Sequence, residues 1–146
     1  MFLPSIALEG RLKVSYLLIS SISSIESGKR IAKGILSSID ERTGIIASSD
    51  FTHYGPSYGF TPYGKDAYGR VMDEDSRTAR LFAENRAEKA WEDGRKRTIC
   101  GIAPATIASM IAGSLCLEGN MVMASSSADS NGDRTDFVSY RTVLWR

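Results

Sequence analysis

The sequence contains few residues suited to chemistry, and this scarcity narrows the functions to consider. Its 146 residues include one histidine, His53, and two cysteines, Cys100 and Cys116. Two cysteines give no disulfide framework, so we expect a reducing, cytoplasmic compartment. A serine triad would have to use His53, and no Gly-x-Ser-x-Gly nucleophile elbow is present. The serine hydrolases are therefore set aside.

The chain also lacks an excess of charge and a long apolar run. Its formal net charge is +1, and its densest basic run, at 95–97, is flanked by Glu92 and Asp93. This pattern indicates a solvated loop, not a nucleic-acid-binding face. No segment is long and apolar enough to cross a bilayer. We expect neither nucleic acid nor membrane as a partner, and the length suits a single domain spanning 1–146.

The first third of the chain has a strand–helix–strand pattern. Residues 14–20 (Val-Ser-Tyr-Leu-Leu-Ile-Ser) and 45–47 (Ile-Ile-Ala) are short apolar runs, typical of strands buried on both faces. Between them, apolar residues recur with helical spacing over 25–39, after a capping-box spacing at Ser23 and Glu26. A right-handed βαβ unit makes the two strands parallel. The predicted fold is therefore α/β, with a mostly parallel mixed sheet between layers of helices.

A long loop rich in aromatic residues follows the second predicted strand. Residues 51–70 fit neither the strand period nor the helix period, and long loops inside compact domains are often functional. The aromatic residues after Phe51 are Tyr54, Tyr58, Phe60, Tyr63 and Tyr68. Beyond the loop the pattern predicts helices over 72–93 and 103–117, then strands over 121–126 and 137–144.

His53 and Asp50 are the first candidate site residues. They follow the predicted strand 45–47, and ligands in parallel α/β sheets bind beyond the carboxyl ends of the strands. Imidazole serves as a general base near neutral pH or as a metal ligand, and Asp50 is placed to orient or charge it. A lone histidine that forms a hydrogen bond within a loop is the simpler alternative. The spacing leaves both interpretations open.

Cys100 is the second candidate, because it directly precedes Gly101 and an apolar helix. A thiol at that place is suited to act as a nucleophile or as a metal ligand. The alternative is a small buried apolar residue. Cys116 lies inside the predicted helix and is expected to belong to the core.

Two blocks of sequence and the end of the chain form a specific pattern. The first block, 47–64, reads Ala-Ser-Ser-Asp-Phe-Thr-His-Tyr-Gly-Pro and continues to Tyr-Gly-Phe-Thr-Pro-Tyr-Gly. The second, 98–104, contains a Cys-Gly-x-x-Pro start of a helix, and the ending contains Ser125-Ser126, Gly132-Asp133 and Val138-Ser139-Tyr140. Both blocks resemble the Memo family, which includes protein B of the AmmeMemoRadiSam system, and the ending is similar to the closing strand pair of that family.

This resemblance implies a fold shared with the catalytic subunit of class III extradiol dioxygenases. It also implies a pocket for one non-heme metal ion, iron or copper. The aspartate–histidine block of the family falls on Asp50 and His53, which makes both candidate catalytic residues, with His53 as the acid/base. The pocket cysteine falls on Cys100, so Cys100 and His53 are the candidate metal ligands.

The resemblance is incomplete at the N-terminus. Two further histidines of the family pocket come from an N-terminal half that this chain does not contain, and residues 1–4 resemble the middle of a family member. We therefore expect a truncated Memo-like domain with an incomplete ligand set. Its expected complement is an N-terminal half on another chain, or a second copy in a homo-oligomer.

Three functional hypotheses follow. The first is a metal-dependent, oxidoreductase-like pocket that acts on an unidentified small molecule and is inactive in the isolated chain. The second is a non-catalytic module that binds a peptide or protein through the aromatic residues of 54–68. The third is a degraded gene product without function, which the missing half would explain.

Overall fold

A computed structural model of the protein describes residues 13–146, so the resemblance of residues 1–4 lies outside the described residues. Helices and strands both occur, which confirms the α/β composition. In chain order the elements are α1 (Ile25–Leu36), β1 (His53–Tyr54), a 3-10 turn (Pro56–Tyr58), α2 (Ala67–Ala83), α3 (Ala87–Gly94), α4 (Ile102–Ser114), β2 (Gly119–Ser126), α5 (Ala128–Asn131) and β3 (Phe137–Trp145).

The sheet is small and antiparallel. Its three strands lie in the order β1–β3–β2, and the strands predicted over 121–126 and 137–144 form its hairpin. Among the described residues every strand pairing within this sheet is antiparallel, so the mostly parallel sheet is not confirmed. Within the hairpin connection, the short helix α5 ends at Gly132, whose φ of 76° is a conformation that glycine adopts without steric cost.

The predicted βαβ unit is wrong for the described residues, because neither apolar run forms a strand. Residues 14–20 and 45–47 belong to no helix and no strand, and their side chains are largely exposed. Leu18 is 95% exposed and Ile46 is 77% exposed. An apolar run indicates only that burial would be favourable. A strand also needs a neighbouring backbone for its hydrogen bonds, and the described residues supply none there.

Helix α1 forms between these two runs, close to its prediction. Its capping box pairs Ser24 with Ser27, not Ser23 with Glu26, and Glu26 instead bonds to Lys29 at 2.6 Å. The helix ends at Leu36, before the predicted residue 39. The capping box lies one residue later than predicted because the hydroxyl of Ser27 accepts from the N–H of Ser24. A glutamate side chain has this role in the commoner form of the box.

The single helix predicted over 72–93 is two helices. The break between α2 and α3 contains Asn85, whose φ is 56° and whose Nδ2 donates to the carbonyl of Leu117 at 2.8 Å. Asparagine accepts this left-handed conformation more readily than most residues. The sequence pattern missed the break because Asn85 is polar and does not disturb the apolar spacing.

Cys116 lies beyond the end of α4 and is exposed, so its assignment to the core is wrong. Its φ of 54° marks the chain reversal that leads into β2. Both cysteines of the chain are free thiols.

The core consists of three packed groups of apolar side chains. Ile107 and Ile111 of α4 pack against α1, and Phe82 of α2 packs with Phe51 and Ile99. The third group, beneath the sheet, contains Tyr54, Val71, Ala128 and Phe137. Helix α2 contacts the sheet and α3, while α4 contacts α1 and α3. Within residues 13–146, none of the helices has the length and apolar character that crossing a membrane requires.

Candidate functional site

The segment that contains Asp50 and His53 runs between two other parts of the chain. On one side His53 pairs with Val138 of β3, and on the other Thr52 forms an antiparallel bridge with Ile99. The candidate residues Asp50, His53 and Cys100 are therefore neighbours, although about fifty residues separate His53 from Cys100. The structure brings together the three residues that the sequence singled out.

A bulge in this segment sets the direction of Asp50. The N–H of Phe51 donates to the carbonyl of Ser139 at 2.9 Å, and the N–H of Ser139 donates to the carbonyl of Thr52 at 3.0 Å. Two residues thus lie opposite one, as in a β-bulge. In a regular strand, residues three apart point to opposite faces. The extra residue places Asp50 on the side of His53, where Oδ2 lies 3.6 Å from Nε2.

Thr98 holds the backbone and the ring of His53. The N–H of His53 donates to the Thr98 hydroxyl at 3.0 Å, and this hydroxyl donates to the carbonyl of His53. The ring Nδ1 lies 2.9 Å from the carbonyl oxygen of Thr98. A carbonyl can only accept, so Nδ1 carries the hydrogen, and Nε2 is the ring nitrogen that lies near Asp50.

A buried ion pair between Asp75 and Arg97 lies next to the residues that hold His53. Asp75 is fully buried, and its carboxylate accepts from the N–H of Thr52 at 3.0 Å and from the Thr52 hydroxyl at 2.8 Å. Nε of Arg97, whose side chain is 5% exposed, lies 3.3 Å from Asp75 Oδ1 without the alignment of a hydrogen bond. Thr52 precedes His53 and Arg97 precedes Thr98, so the pair joins the two segments that hold the imidazole.

Cys100 lies beside Asp50, at the start of α4. Its Sγ donates to the carbonyl of Asp50 at 3.8 Å, and the residue is exposed. The next residue is Gly101, whose N–H donates to the Ser49 hydroxyl at 3.0 Å. A Cβ on Gly101 would lie 2.3 Å from Cβ of Ser49. Glycine is therefore required for the close approach that places the thiol next to Asp50.

Most aromatic residues of the loop are part of the core. Tyr54 is buried, stacks on Phe137 and donates its hydroxyl to the carbonyl of Tyr63 at 2.7 Å. Tyr63 in turn donates to Glu74, and burial together with this carboxylate raises the pKa of Tyr63 to about 12. Tyr58 differs: it is 43% exposed, and its ring meets the ring of His53 edge-on at 5.1 Å.

Tyr140 is a site residue that the sequence argument did not single out. It lies on β3 two residues beyond Val138, the partner of His53, and so on the same face of the sheet. Burial, the charge of Asp50 and the Tyr58 phenol raise the pKa of Tyr140. Tyr140 was visible in the Val138-Ser139-Tyr140 ending of the sequence, but only the strand register shows which residue Tyr140 faces.

The described residues do not by themselves form a metal site. Within residues 13–146, no three or more side chains of histidine, cysteine, aspartate or glutamate are placed to hold one metal ion. Asp50, His53 and Cys100 are neighbours, but their donor atoms do not converge on one point. A metal at this place would need further donors.

Comparison with known proteins agrees with the family resemblance of the sequence. The family model described as Memo-like protein matches residues 2–144. A MEMO1 family protein of Thermococcus onnurineus is 28% identical in a 116-residue alignment that covers 74% of this chain and 39% of that protein. A MEMO1 family protein of Thermococcus kodakarensis is 26% identical in a 110-residue alignment that covers 70% of this chain and 37% of that protein. The aligned part of this chain thus spans less than half the length of either relative, and the chain belongs to the Memo-like protein family.

Proposed function

We propose that this chain contributes the acid/base side of a pocket that binds a small molecule. The observation that carries the proposal is the orientation of His53, with Nδ1 bonded to the carbonyl of Thr98 and Nε2 facing Asp50. In this arrangement Nε2 accepts a proton from a hydroxyl group of the bound molecule, and the carboxylate of Asp50 stabilises the imidazolium that forms. The tautomer is fixed by the protein before the molecule binds.

We further propose that a metal ion, iron or copper, binds beside this pair with Cys100 among its ligands. His53, the other candidate ligand, has only Nε2 free, so in this proposal it acts as the acid/base beside the ion. A soft thiolate suits copper and iron in sulfur-rich sites, and the ion would supply the redox chemistry of a dioxygenase-like oxidoreductase. The described residues do not complete a coordination sphere, so the proton transfer above is assigned to this chain's own residues alone. The free thiols support a reducing, cytoplasmic location.

The missing donors, in this proposal, come from a complementing N-terminal half that pairs with residues 14–20 and 45–47. Two facts support it: Leu18 and Ile46 are among the most exposed apolar residues, and the matched relatives are far longer than this chain. Pairing would turn both runs into strands and give the three-layer, mostly parallel, dioxygenase-like sheet. A second copy of the chain is the competing way to cover them.

Nitrogen NMR of the imidazole tests the acid/base proposal directly, because His53 is the only histidine. In protein labelled with ¹⁵N-histidine, we expect Nδ1 to carry the proton in the neutral ring and Nε2 to have the shift of an unprotonated nitrogen. In Asp50→Asn the tautomer should be kept, because Thr98 and not Asp50 sets it. The opposite tautomer in the wild type would refute the assignment of Nε2 as the base.

Plasma mass spectrometry of the purified chain tests the metal proposal, with His53→Ala/Cys100→Ala as the matched variant. We expect less than one metal ion per chain in both proteins, since donors are missing. A stoichiometric metal that the variant loses would contradict the need for an N-terminal half. Size-exclusion chromatography would then show whether a second copy completes the site.

The second candidate function is binding of a peptide or protein by the loop over 54–68. A cavity of about 450 Å³ favours it: among its lining residues are Tyr54, Pro56, Tyr68 and Arg134, whose guanidinium lies 4.7 Å from the centre of the Tyr68 ring. Pull-downs with Arg134→Ala and Tyr58→Ala test it, since both changes spare the packed aromatic residues. Unchanged capture of every partner by both variants would exclude the loop as a binding surface.

A further inference from the structure

We infer that Tyr140 contacts the molecule bound at Asp50 and His53 and donates a hydrogen bond from its phenol to an acceptor oxygen. The inference rests on the proposed function and adds a substrate class to it. The molecule is a small, neutral compound with a hydroxyl group next to a carbonyl oxygen. Its hydroxyl faces Nε2 of His53, and its carbonyl oxygen faces the Tyr140 hydroxyl.

The strand register places Tyr140 at the site. His53 pairs with Val138. At the bulge, Phe51 and Thr52 together lie opposite Ser139, so the next residue of β3, Tyr140, comes opposite Asp50. Side chains of neighbouring strands at such positions are close enough to interact. The backbone at Tyr140 is fixed from the other side, because Arg141 donates to the Tyr140 carbonyl at 2.6 Å.

The hydroxyl of Tyr140 is available, in contrast to those of the loop tyrosines. Tyr54 donates to a carbonyl, Tyr63 to Glu74 and Tyr68 to Asp129. Tyr140 is half-buried, and within residues 13–146 its hydroxyl has no hydrogen-bond partner. This hydroxyl is not a buried unpaired group, so it is open to solvent and can form a hydrogen bond with a molecule that displaces the water.

The charge of the site favours a neutral acceptor. The carboxylate of Asp50 repels an anionic group, and burial together with Asp50 and Tyr58 raises the pKa of Tyr140. The phenol therefore keeps its proton through the neutral range and acts as a donor. With Nε2 of His53 as an acceptor on the same face, the site offers one donor and one acceptor side by side, which a hydroxyl next to a carbonyl complements.

Hydroxyacetone is a suitable probe, and 1-propanol is its matched control without the carbonyl. Each is titrated into the full chain while the ¹⁵N signals of His53 are followed, in the wild type, in Tyr140→Phe and in Tyr63→Phe. We expect Tyr140→Phe to weaken hydroxyacetone binding by about five- to tenfold, which is the loss of one neutral hydrogen bond. Propanol binding should not change, and Tyr63→Phe should bind both as the wild type does.

Equal affinity of the wild type and Tyr140→Phe for hydroxyacetone would overturn the inference, as would equal weakening for both probes. If hydroxyacetone did not move the His53 signals of the wild type, the substrate class would be wrong. The tautomer of His53 is read from the same spectra before any probe is added, so failure of the proposed function remains distinguishable.

A second measurement needs neither a probe nor a stable Tyr140→Phe protein for its outcome. In protein labelled at tyrosine Cζ, the Tyr140 signal should titrate at lower pH in Asp50→Asn than in the wild type, because the charge of Asp50 raises the pKa of Tyr140. The signal of Tyr63, whose pKa is raised by burial and Glu74, should not move. An unchanged titration of Tyr140 would show that Tyr140 does not face Asp50, and would overturn the inference.

Discussion

Residues 51–146 and residues 13–50 differ in how far their largest apolar side chains are buried. In the larger region Phe82 and Phe137 are almost fully buried, and Asp75 has partners for both carboxylate oxygens. In the smaller region Leu18 and Ile46 are exposed to solvent. The sequence pattern was equally apolar in both. An apolar pattern therefore indicates only that burial would be favourable. Whether burial occurs depends on the presence of another surface against which the side chains can pack.

In the larger region, we expect removal of the buried Asp75–Arg97 ion pair to cause the largest loss of stability. We expect Asp75→Ala to destabilise the fold by about 2–4 kcal/mol, because Arg97 loses its one fully buried counter-charge and keeps only Glu74 and Asp93. Thr52 loses two hydrogen bonds in the same change. Urea unfolding followed by circular dichroism measures the effect. Arg77→Ala removes an exposed ion pair to Asp93 and should cost less than about 1 kcal/mol; equal losses would refute the distinction.

Gly55 is the next most sensitive position, just after the site segment. Its φ is 130°, and a Cβ there would lie 2.7 Å from both the Asp136 Cα and the Thr135 carbonyl oxygen. We expect Gly55→Ala to cost about 1–3 kcal/mol through backbone strain, measured by thermal unfolding. Gly64→Ala is the control, because no atom lies within 4 Å of its added Cβ. A Gly55→Ala protein as stable as this control would contradict the geometry.

We expect alkaline pH to lower the free energy of unfolding through the ionisation of Tyr63. Burial and the Glu74 carboxylate raise its pKa to about 12, from an ordinary value of 10.0. The unfolded chain therefore loses this proton first, and stability is lost as the pH rises from about 10 to about 12. Urea unfolding at several pH values should show a smaller decline in Tyr63→Phe than in the wild type. Parallel declines in the two proteins would refute this assignment.

The smallest effect is expected in the exposed region. Leu18→Ser and Ile46→Ser should each change the stability of the isolated chain by less than about 0.5 kcal/mol, because both side chains are already in water. The same changes should reduce self-association, which is measured by analytical ultracentrifugation. A large loss of stability in either variant would mean that these residues are buried in the isolated chain after all.

The sequence predicted the parts of the fold that local pattern decides. The strands over 121–126 and 137–144, the helix before 39 and the start of α4 near Cys100 were all found close to their predicted places. The break at Asn85 was missed, since one polar residue does not disturb helical spacing. The pairing of residues 14–20 and 45–47 was wrong for the described residues, because pairing is a long-range event that periodicity does not encode.

The candidate site was predicted to the level of single residues but not of geometry. Asp50 and His53 stood out by residue type and by their place after a predicted strand, and Cys100 by its place before a predicted helix. Their juxtaposition depends on a bulge of one residue and on the register of β3, and neither has a local signature. For the same reason Thr98, which fixes the imidazole, and Tyr140, which faces Asp50, could not be identified without the fold.

The position of the site segment between β3 and the segment that contains Thr98 and Ile99 also has a kinetic consequence. His53 and Thr98 are 45 residues apart in the chain, and β3 lies further on. Contacts between such distant residues form only after long loops have closed, which costs chain entropy and delays them. We expect helix formation to precede the ordering of His53, and pulsed hydrogen exchange should protect the amides of Phe51 and Ser139 together and late. During synthesis, the backbone of His53 would gain its β3 partner only after the last strand has been made.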